Sequence, residues 1–318
     1  MRKLLITGIA GFVGSHLAER MMTKAEVWGV HIDEGLDNLV GMGALNLLPC
    51  DLMDGKGVAE VFKRVRPGAI VHLAAQSRPA LSFDNPAETL RNNIFSTLNV
   101  FEAAASVCPE AVILNIGSGD VYGEVNEAEF PVRETAELRP MNPYSVSKAT
   151  ADLMGFQYWK SKGLRVIRCR PFNHLGPRQA RHFVAPSFAR QIAECEAGAR
   201  PDMVIKVGNL ESSKDFLDVR DVVAAYELLL DKGACGEAYN ICSGKAVKIR
   251  WILDTLLSLS AAKIEVSEDA GKMRPTEAMS IYGDAGKLRA LGWEPRYPLV
   301  DGLAGLLDYW RGKTRARR

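Results

Sequence analysis

A short apolar segment followed by regularly spaced glycines constrains the fold of this chain more than any other feature. Leu4–Ile6 predicts a short buried strand, and glycines recur at every third position after it, where a helix is expected to begin. In a dinucleotide fingerprint the glycines allow a tight turn, a close approach of the pyrophosphate and close packing of the helix on the strand. The first N–H groups of the helix face the anion. A glycine-rich turn without a ligand is the alternative, but the position between strand and helix favours a nucleotide cofactor. The candidate cofactor-binding residues of this turn are Gly8, Gly11, Phe12, Val13 and Gly14.

Composition narrows the class of protein. The chain has 318 residues, 47% of them hydrophobic, which suits one large α/β body with a smaller lobe. Its net charge of +2 gives no electrostatic case for binding nucleic acid. The six cysteines show neither a Cys-x-x-Cys pair nor a zinc-ligand spacing, so we expect reduced thiols, no metal and a cytoplasmic protein. No signal-peptide core precedes Thr7, and no apolar run reaches the ~20 residues of a membrane helix.

Strand and helix patterns alternate along most of the chain, which predicts a Rossmann-type, doubly wound parallel sheet. We expect residues 1–170 to form an NAD(P)-binding domain and residues 171–318 to form mainly a smaller substrate-binding lobe. A segment at about 215–242 is expected to return to the first domain. The predicted strands are 4–6, 26–31, 50–52, 69–75, 111–116, 164–170, 204–207 and 238–242, and the predicted helices are 12–23, 86–106, 143–162, 183–197 and 219–230.

The end of the second strand distinguishes NAD from NADP in such sheets. An acidic residue there binds the ribose 2′-hydroxyl, and an arginine binds a 2′-phosphate. This chain has His31 at that position, so the sequence leaves the choice of cofactor open.

Further cofactor contacts are expected at other strand ends. Asp51, followed by Leu52, could accept a hydrogen bond from the adenine amino group, or it could be a surface residue beginning the next helix. The small residues Ala74 and Ala75, after Leu73, would let the cofactor lie against the backbone. His72 lies inside an apolar strand, where a histidine is more often a hydrogen-bonded core residue than a catalytic one.

Three polar residues form the candidate catalytic set. Tyr144 and Lys148 are four residues apart and therefore share a helix face. A neighbouring ammonium and a cationic nicotinamide would both favour the phenolate, so that Tyr144 can exchange a proton with an alcohol or ketone near neutrality. Lys148 can also hold the nicotinamide ribose. Ser118 follows another strand and could hydrogen-bond the same substrate oxygen. A Tyr-x-x-x-Lys pair alone occurs by chance on many helices, but here it accompanies the glycine turn and the Ala-Ala loop.

With these motifs in place, the whole chain resembles the extended short-chain dehydrogenase/reductases of the nucleotide-sugar type. Within them it is most similar to the GDP-mannose branch, and in particular to the GDP-4-keto-6-deoxy-D-mannose reductases. The stretches that carry the resemblance are 7–14, 72–75, 118–123, 144–148, 170–177, 205–211, 215–221, 274–277, 283–284 and 291–293.

The resemblance implies a GDP-sugar substrate, NAD or NADP as cofactor, and a substrate-binding set. Arg274 would contact the diphosphate and Glu277 the ribose of GDP, while Asn173 and the backbone around Val184 would complete the nucleotide pocket. The family usually has arginine where this chain has Lys214, so a bidentate phosphate contact becomes a point charge. Further candidate cofactor contacts in the 170–177 stretch are Pro171 and His174.

The resemblance also implies a homodimer. In this family the helices equivalent to 86–106 and 144–162 form a four-helix bundle across a two-fold axis. The first of them has apolar residues at Leu90, Ile94, Leu98 and Phe101.

The residues after Ser118 bear on the reaction type. A 4,6-dehydratase must also remove the C5 proton and expel the C6 hydroxyl, typically with a glutamate beside the family serine or threonine. Here Gly119 has no side chain and Asp120 is one methylene shorter than glutamate, which matters because a base must lie within about 3 Å of its proton. This favours a reductase that transfers hydride from NAD(P)H to the C4 ketone of GDP-4-keto-6-deoxy-D-mannose, giving a GDP-6-deoxyhexose such as GDP-D-rhamnose. A GDP-mannose 4,6-dehydratase with Asp120 as a catalytic residue, a nucleotide-sugar 4-epimerase and a non-enzymatic NAD(P)-binding regulator are the alternatives.

Overall fold

The fold is taken from a computed structural model, which describes residues 2–32, 35–43, 45–269, 271 and 280–316. Its strands are β1 (Lys3–Thr7), β2 (Glu26–His31), β3 (Asn46–Pro49), β4 (Ala69–His72), β5 (Val112–Ile116), β6 (Arg165–Pro171), β7 (Asn173–Leu175), β8 (Val204–Val207), β9 (Ser213–Asp218), β10 (Ala238–Ile241), β11 (Ala246–Lys248), β12 (Glu265–Glu268) and β13 (Ser280–Ile281). Its α-helices are α1 (Phe12–Met21), α2 (Gly55–Val65), α3 (Pro79–Asp84), α4 (Pro86–Val107), α5 (Pro143–Lys162), α6 (Val184–Glu196), α7 (Val219–Lys232), α8 (Ile249–Ser258), α9 (Gly286–Arg289) and α10 (Leu299–Arg315). Short 3-10 helices lie at Leu36–Leu39, Gly119–Tyr122 and Glu127–Glu129.

Within these ranges, seven strands form one large sheet in the order β3-β2-β1-β4-β5-β6-β10. Every neighbouring pair is parallel. Thr7 at the end of β1 lies between Val30 of β2 and His72 of β4, so the carboxyl ends of these strands meet at one edge. The chain order runs outward in both directions from β1 and β4, and ligands of such sheets bind at the crevice above that point. The predicted parallel, doubly wound sheet is confirmed.

The alternation of side chains along β1 explains why both faces of the sheet are covered. Leu4 and Ile6 pack on one face with residues of α1 and α7. Leu5 points to the opposite face and packs with residues of α2, α4 and α5. Successive strand side chains point to opposite faces, so a continuous apolar run such as Leu4–Ile6 requires helices on both sides.

A second, smaller set of elements follows β6. Strand β9 pairs with β7, β11 and β13, and β8 pairs with β12. Helices α6, α8 and α10 bury their apolar faces together with β8 in a separate cluster. Strand β9 pairs within the small sheet but contributes Leu217 to the core of the large body, to which α7 and β10 also belong. The expected return at about 215–242 stays a prediction. The division at residue 170 into a cofactor domain and a substrate lobe stays a prediction.

Helix α4 buries mostly polar side chains in its first three turns. Phe101 is buried as part of the core, but Leu90, Ile94 and Leu98 of the apolar stripe are only half-buried, and Phe95 is 50% exposed. The fully buried side chains in the first three turns are polar, namely Thr89, Asn93, Ser96 and Thr97. The N-terminal half of α4 therefore turns polar groups inward and leaves apolar groups near the surface.

Three general features of the described residues complete the fold. None of their helices is long and apolar enough to cross a membrane. Their His, Cys, Asp and Glu side chains do not gather anywhere in a group of three or more that could hold a metal ion. The six cysteines are all free thiols, and Cys169, Cys195 and Cys242 are buried.

Candidate functional site

The glycine turn after β1 leaves no room for side chains at Gly8 and Gly14. Gly8 has a φ of +70°, and a Cβ at this position would lie 3.0 Å from the backbone N and Cα of Ala74. A Cβ on Gly14 would lie 2.3 Å from the carbonyl oxygen of Gly8. Gly11 caps α1, and the helix begins with Phe12 and Val13. The first N–H groups of a helix have no acceptor within the helix, so this turn fits the diphosphate of a dinucleotide cofactor.

The loop after β4 is fastened to the same turn. The backbone N–H groups of Leu73 and Ala74 donate to the carbonyl oxygen and the hydroxyl of Thr7, at 3.3 and 3.2 Å. Leu73, Ala74 and Ala75 are all half-buried. The structure thus brings the expected Ala-Ala loop beside the glycine turn, where small side chains leave the backbone accessible.

Asp51 and Leu52 lie beyond the end of β3, which stops at Pro49, two residues before Asp51. Asp51 is exposed and its carboxylate accepts a hydrogen bond from the N–H of Met53. Asp54, not Asp51, caps α2, so the alternative in which Asp51 begins the next helix is wrong. A contact with adenine stays a prediction.

His72 is a core residue, as its apolar neighbours indicate. Its Nδ1 lies 2.8 Å from the Thr7 hydroxyl, and its Nε2 lies 3.1 Å from the Thr97 hydroxyl. Thr97 donates its own proton to the carbonyl oxygen of Asn93, so it must accept from Nε2–H. Burial, with the nearby positive charge of Lys148, lowers the pKa of His72 to about 3. The histidine is therefore neutral and satisfied on both ring nitrogens.

Tyr144 and Lys148 lie on one face of the first two turns of α5 and are both buried. Asn142 caps this helix by accepting from the N–H of Ser145, and Pro143 occupies the first turn. The Lys148 ammonium donates to the carbonyl oxygen of Ile116 at 2.8 Å, and burial lowers its pKa to about 8.

The electrostatics of Tyr144 differ from the expectation. Burial raises its pKa, the charge of Asp120 raises it further, and a hydrogen bond with the Ser118 hydroxyl lowers it in part. The expected stabilisation of the phenolate by Lys148 is not among the causes of this shift. The Lys148 ammonium instead donates to the Ile116 carbonyl. In this state Tyr144 holds its proton at neutral pH.

Ser118, Gly119 and Asp120 stand opposite Tyr144. Ser118 caps the 3-10 helix after β5, with its hydroxyl accepting from the N–H of Asp120 at 3.1 Å. A Cβ on Gly119 would lie 2.9 Å from the ring of Phe172, which explains why this position carries no side chain. The structure thus places a hydroxyl and a carboxylate near the phenol of Tyr144.

Two further candidates come from the segment after β6. Pro171 ends β6 at the carboxyl edge of the large sheet. The His174 ring stacks on Phe12 with centroids 5.7 Å apart, and its Nδ1 lies 2.9 Å from the carbonyl oxygen of Phe172. Burial lowers the pKa of His174. His174 is therefore brought against the first residue of α1, beside the glycine turn.

The substrate candidates lie mostly in the smaller set of elements. Asn173 is in β7 opposite Phe216 of β9, two residues from Lys214. Val184 is the exposed first residue of α6. Arg274 and Glu277 lie outside the described residues.

The sequence interpretation missed a set of buried polar residues around this site. Thr7, Asn93, Thr97 and Ser147 are each at most 2% exposed and are hydrogen-bonded to one another or through His72. Asn93 and Thr97 are four residues apart and therefore lie on the same face of α4. This pair of polar residues on one helix face was the sequence feature that could have revealed the buried polar set.

Comparisons with known proteins agree with this geometry. The sequence profile of the GDP-mannose 4,6 dehydratase family matches residues 5–305. The chain is 35% identical to a GDP-6-deoxy-D-mannose reductase of Pseudomonas aeruginosa, over 99% of each protein. It is also similar to the solved structure of RMD from Pseudomonas aeruginosa complexed with NADPH. That likeness has a TM-score of 0.85 and 36% identity, and it covers 98% of this chain and 100% of the other.

A solved UDP-glucose 4-epimerase of Thermus thermophilus in complex with NAD has a TM-score of 0.87 and 28% identity, covering 98% of this chain and 99% of its own. The shared fold therefore extends to enzymes with other named activities. The match of the family profile over nearly the whole chain, with the glycine turn and the Tyr144–Lys148 helix in place, confirms the resemblance seen in the sequence. This chain belongs to the GDP-mannose 4,6 dehydratase family.

Proposed function

We propose that the protein is an NAD(P)H-dependent reductase of the C4 ketone of GDP-4-keto-6-deoxy-D-mannose, giving a GDP-6-deoxyhexose such as GDP-D-rhamnose. The observation that carries this is the buried phenol of Tyr144, hydrogen-bonded to Ser118 at the carboxyl edge of the sheet. The full-length similarity to a GDP-6-deoxy-D-mannose reductase supports the same reaction.

The proton is the part of the reaction that this chain supplies. A ketone reductase needs an acid that still carries its proton when the substrate arrives, and the buried phenol of Tyr144 is protonated at neutral pH. Ser118, beside the phenol, would hold the same substrate oxygen. A bound NADH or NADPH supplies the hydride.

Other residues would hold the cofactor. Lys148 lies one helical turn from Tyr144, where its ammonium can reach the nicotinamide ribose after leaving the Ile116 carbonyl. The glycine turn would bind the diphosphate. The small side chains of the Ala74–Ala75 loop would let the cofactor lie against the protein backbone. Both NADPH and NAD occur in the solved relatives, and we propose one of these two dinucleotides as the cofactor.

The GDP moiety would occupy the smaller set of elements. Asn173 and Lys214 lie on neighbouring strands, and the backbone at Val184 opens α6. We propose that Lys214 contacts the diphosphate together with Arg274, and that Glu277 contacts the ribose, as the family resemblance implies.

The dehydratase remains the second candidate because Asp120 lies close enough to Tyr144 for its charge to raise the pKa of the phenol. A carboxylate at this position could serve as the C5 base. A 4-epimerase needs only the Tyr–Lys pair, and a non-enzymatic regulator would have no reason to keep Ser118, Tyr144 and Lys148 together.

Replacing Asp120 distinguishes the reductase from the dehydratase. If the protein reduces a preformed ketone, we expect Asp120→Ala to lower the rate less than about tenfold, because no second acid or base is required. Removing the negative charge also lowers the pKa of Tyr144, so the alkaline loss of reductase activity should move to lower pH. The measurement is the pH–rate profile of ketone reduction. Asp120→Asn serves as the second variant, because it removes the charge and keeps the size of the side chain. If the protein is instead a dehydratase, Asp120→Ala should lower the conversion of GDP-mannose to the 4-keto-6-deoxy sugar by roughly 10²–10⁴-fold, as expected for a missing general base, and that result would contradict the reductase.

We also propose a homodimer built on α4 and α5. These helices carry exposed apolar side chains, including Phe95, Val146, Leu153 and Phe156. Apolar faces of two neighbouring helices can pair across a two-fold axis as a four-helix bundle. The inward polar face of α4 leaves its half-buried leucines and isoleucine available to such an interface.

Leu153→Glu should convert the dimer into a monomer, because it places a charge at a position that is 58% exposed in one chain and buried in the bundle. Light scattering at micromolar concentration measures the change. Val300→Glu, on an exposed apolar residue of α10, is the matched control and should leave the dimer intact. A wild-type protein that is already monomeric would contradict the proposal.

We place the protein in the cytoplasm. Its six free thiols are as expected for a reducing compartment.

A further inference from the structure

A buried hydrogen-bond path joins the loop after β4 to the turn of α5 that carries Tyr144. The Asn93 side chain lies at its centre and is 2% exposed. Its Oδ1 accepts from the backbone N–H of Gln76 at 2.7 Å, and its Nδ2 donates to the Gln76 carbonyl at 3.0 Å. Nδ2 also donates to the Ser147 hydroxyl at 2.9 Å, and that hydroxyl lies 2.6 Å from the carbonyl oxygen of Tyr144.

The groups at the two ends of this path determine which atom donates and which accepts in every hydrogen bond along it. The N–H of Gln76 requires an acceptor and its carbonyl requires a donor, so the amide of Asn93 has one possible orientation. Both Nδ2 protons are then used. Because Ser147 accepts one of them, its own proton goes to the Tyr144 carbonyl. No alternative arrangement satisfies the Asn93 and Ser147 side chains together with the Gln76 backbone, so the hydrogen bonds of this path have one possible pattern.

The backbone of Asn93 is fixed as well. Its carbonyl oxygen accepts from Thr97, which accepts from His72, which in turn accepts from Thr7 at the end of β1. The path therefore starts beside the glycine turn, passes the Ala74–Gln76 loop and ends at the backbone carbonyl of Tyr144, the proposed proton donor.

We propose that Ser147 is a positioning residue for the proposed reduction: through Asn93 it locks the turn bearing Tyr144 to the loop that holds the cofactor. This inference rests on the proposed roles of Tyr144 and the Ala74–Ala75 loop. Because a single hydrogen-bonded unit carries both the phenol and the cofactor-binding loop, the phenol and the cofactor keep one fixed separation. Small errors in such a separation lower the rate of the chemical step more than they weaken binding.

Helix α5 provides a matched comparison. Thr150 also donates its hydroxyl to a carbonyl one turn earlier, that of Val146, at 3.0 Å. Thr150 is partly exposed and belongs to no path toward the cofactor loop in the described structure. Removing either hydroxyl deletes the same kind of bond within the helix, and only Ser147 also connects to Asn93.

The test is steady-state reduction of the ketone by Ser147→Ala, Ser147→Thr and Thr150→Ala. We expect Ser147→Ala to lower kcat about tenfold or more, with KM for the ketone and Kd for the cofactor changed less than about twofold. Ser147→Thr keeps a hydroxyl able to bond the carbonyl at i−3 and should restore most of kcat. Thr150→Ala should match the wild type.

A second arm uses Asn93→Ala alone and with Ser147→Ala. If the two residues act as one path, the double variant should have the kcat of Asn93→Ala, without a further tenfold loss. Independent, multiplying effects would overturn the proposal. If Asn93→Ala does not fold, the Ser147 variants decide the question.

Several outcomes contradict the inference without touching the proposed function. Wild-type kcat in Ser147→Ala, equal losses in Ser147→Ala and Thr150→Ala, or a loss seen only in cofactor Kd would each overturn it. Absence of ketone reduction by the wild-type protein would instead overturn the proposed function.

Discussion

Tyr144→Phe should abolish ketone reduction while the cofactor still binds. The substitution removes only the phenolic hydroxyl, and with it the proton donor that stands beside Ser118. Loss of a positioned acid lowers a rate by roughly 10²–10⁴-fold. The glycine turn and Lys148 are unchanged, so cofactor affinity, measured by fluorescence titration, should stay within about threefold.

Tyr158→Phe is the control for this experiment, because Tyr158 lies on the same helix but donates its hydroxyl to Glu102 on α4. It should keep wild-type turnover. Substantial turnover in Tyr144→Phe would show that the proton comes from another group, such as Asp120 or water.

Gly14→Ala should damage both stability and cofactor binding. The added Cβ would lie 2.3 Å from the Gly8 carbonyl oxygen, 2.8 Å from the Ile9 Cα and 2.9 Å from the Ile9 carbonyl oxygen. All three are backbone atoms, so the glycine turn itself must shift. We expect the free energy of unfolding to fall by about 1–3 kcal/mol, and cofactor affinity to fall with it.

Gly312→Ala tests the same substitution where space is open. Gly312 lies in α10, and its Cβ would meet no heavy atom within 4 Å. Alanine there should raise the free energy of unfolding by about 0.4–1 kcal/mol, because it restricts the unfolded chain. Denaturant unfolding of both variants gives the comparison, and equal effects would contradict the steric account of Gly14.

Local patterns predicted much of the large sheet and the catalytic helix. The Leu4–Ile6 run required helices on both faces, and the helix predicted over 143–162 has the same bounds as α5. These features depend on short stretches of sequence, where turn, cap and strand preferences act directly. The relation of Tyr144 to Lys148 followed from the helix period alone.

Features that depend on distant partners were not predictable in this way. The pKa of Tyr144 is raised because tertiary packing buries the phenol near Asp120. The inward polar face of α4 exists because Asn93 and Thr97 meet Gln76, Ser147 and His72, which lie far away in the chain. β9 belongs to the small sheet because β7 and β13 pair with it, which the pattern within residues 213–218 does not reveal.

The central claim is that this protein consumes a ketone and a reduced nicotinamide together. The direct measurement incubates the wild-type protein with GDP-4-keto-6-deoxy-D-mannose and either NADPH or NADH, following cofactor absorbance and the sugar by NMR. We predict that oxidised cofactor and a GDP-6-deoxyhexose form in equal amounts, with a new hydrogen at C4. Efficient conversion of GDP-mannose to the 4-keto-6-deoxy sugar without added NAD(P)H, abolished in Asp120→Ala, would contradict this account.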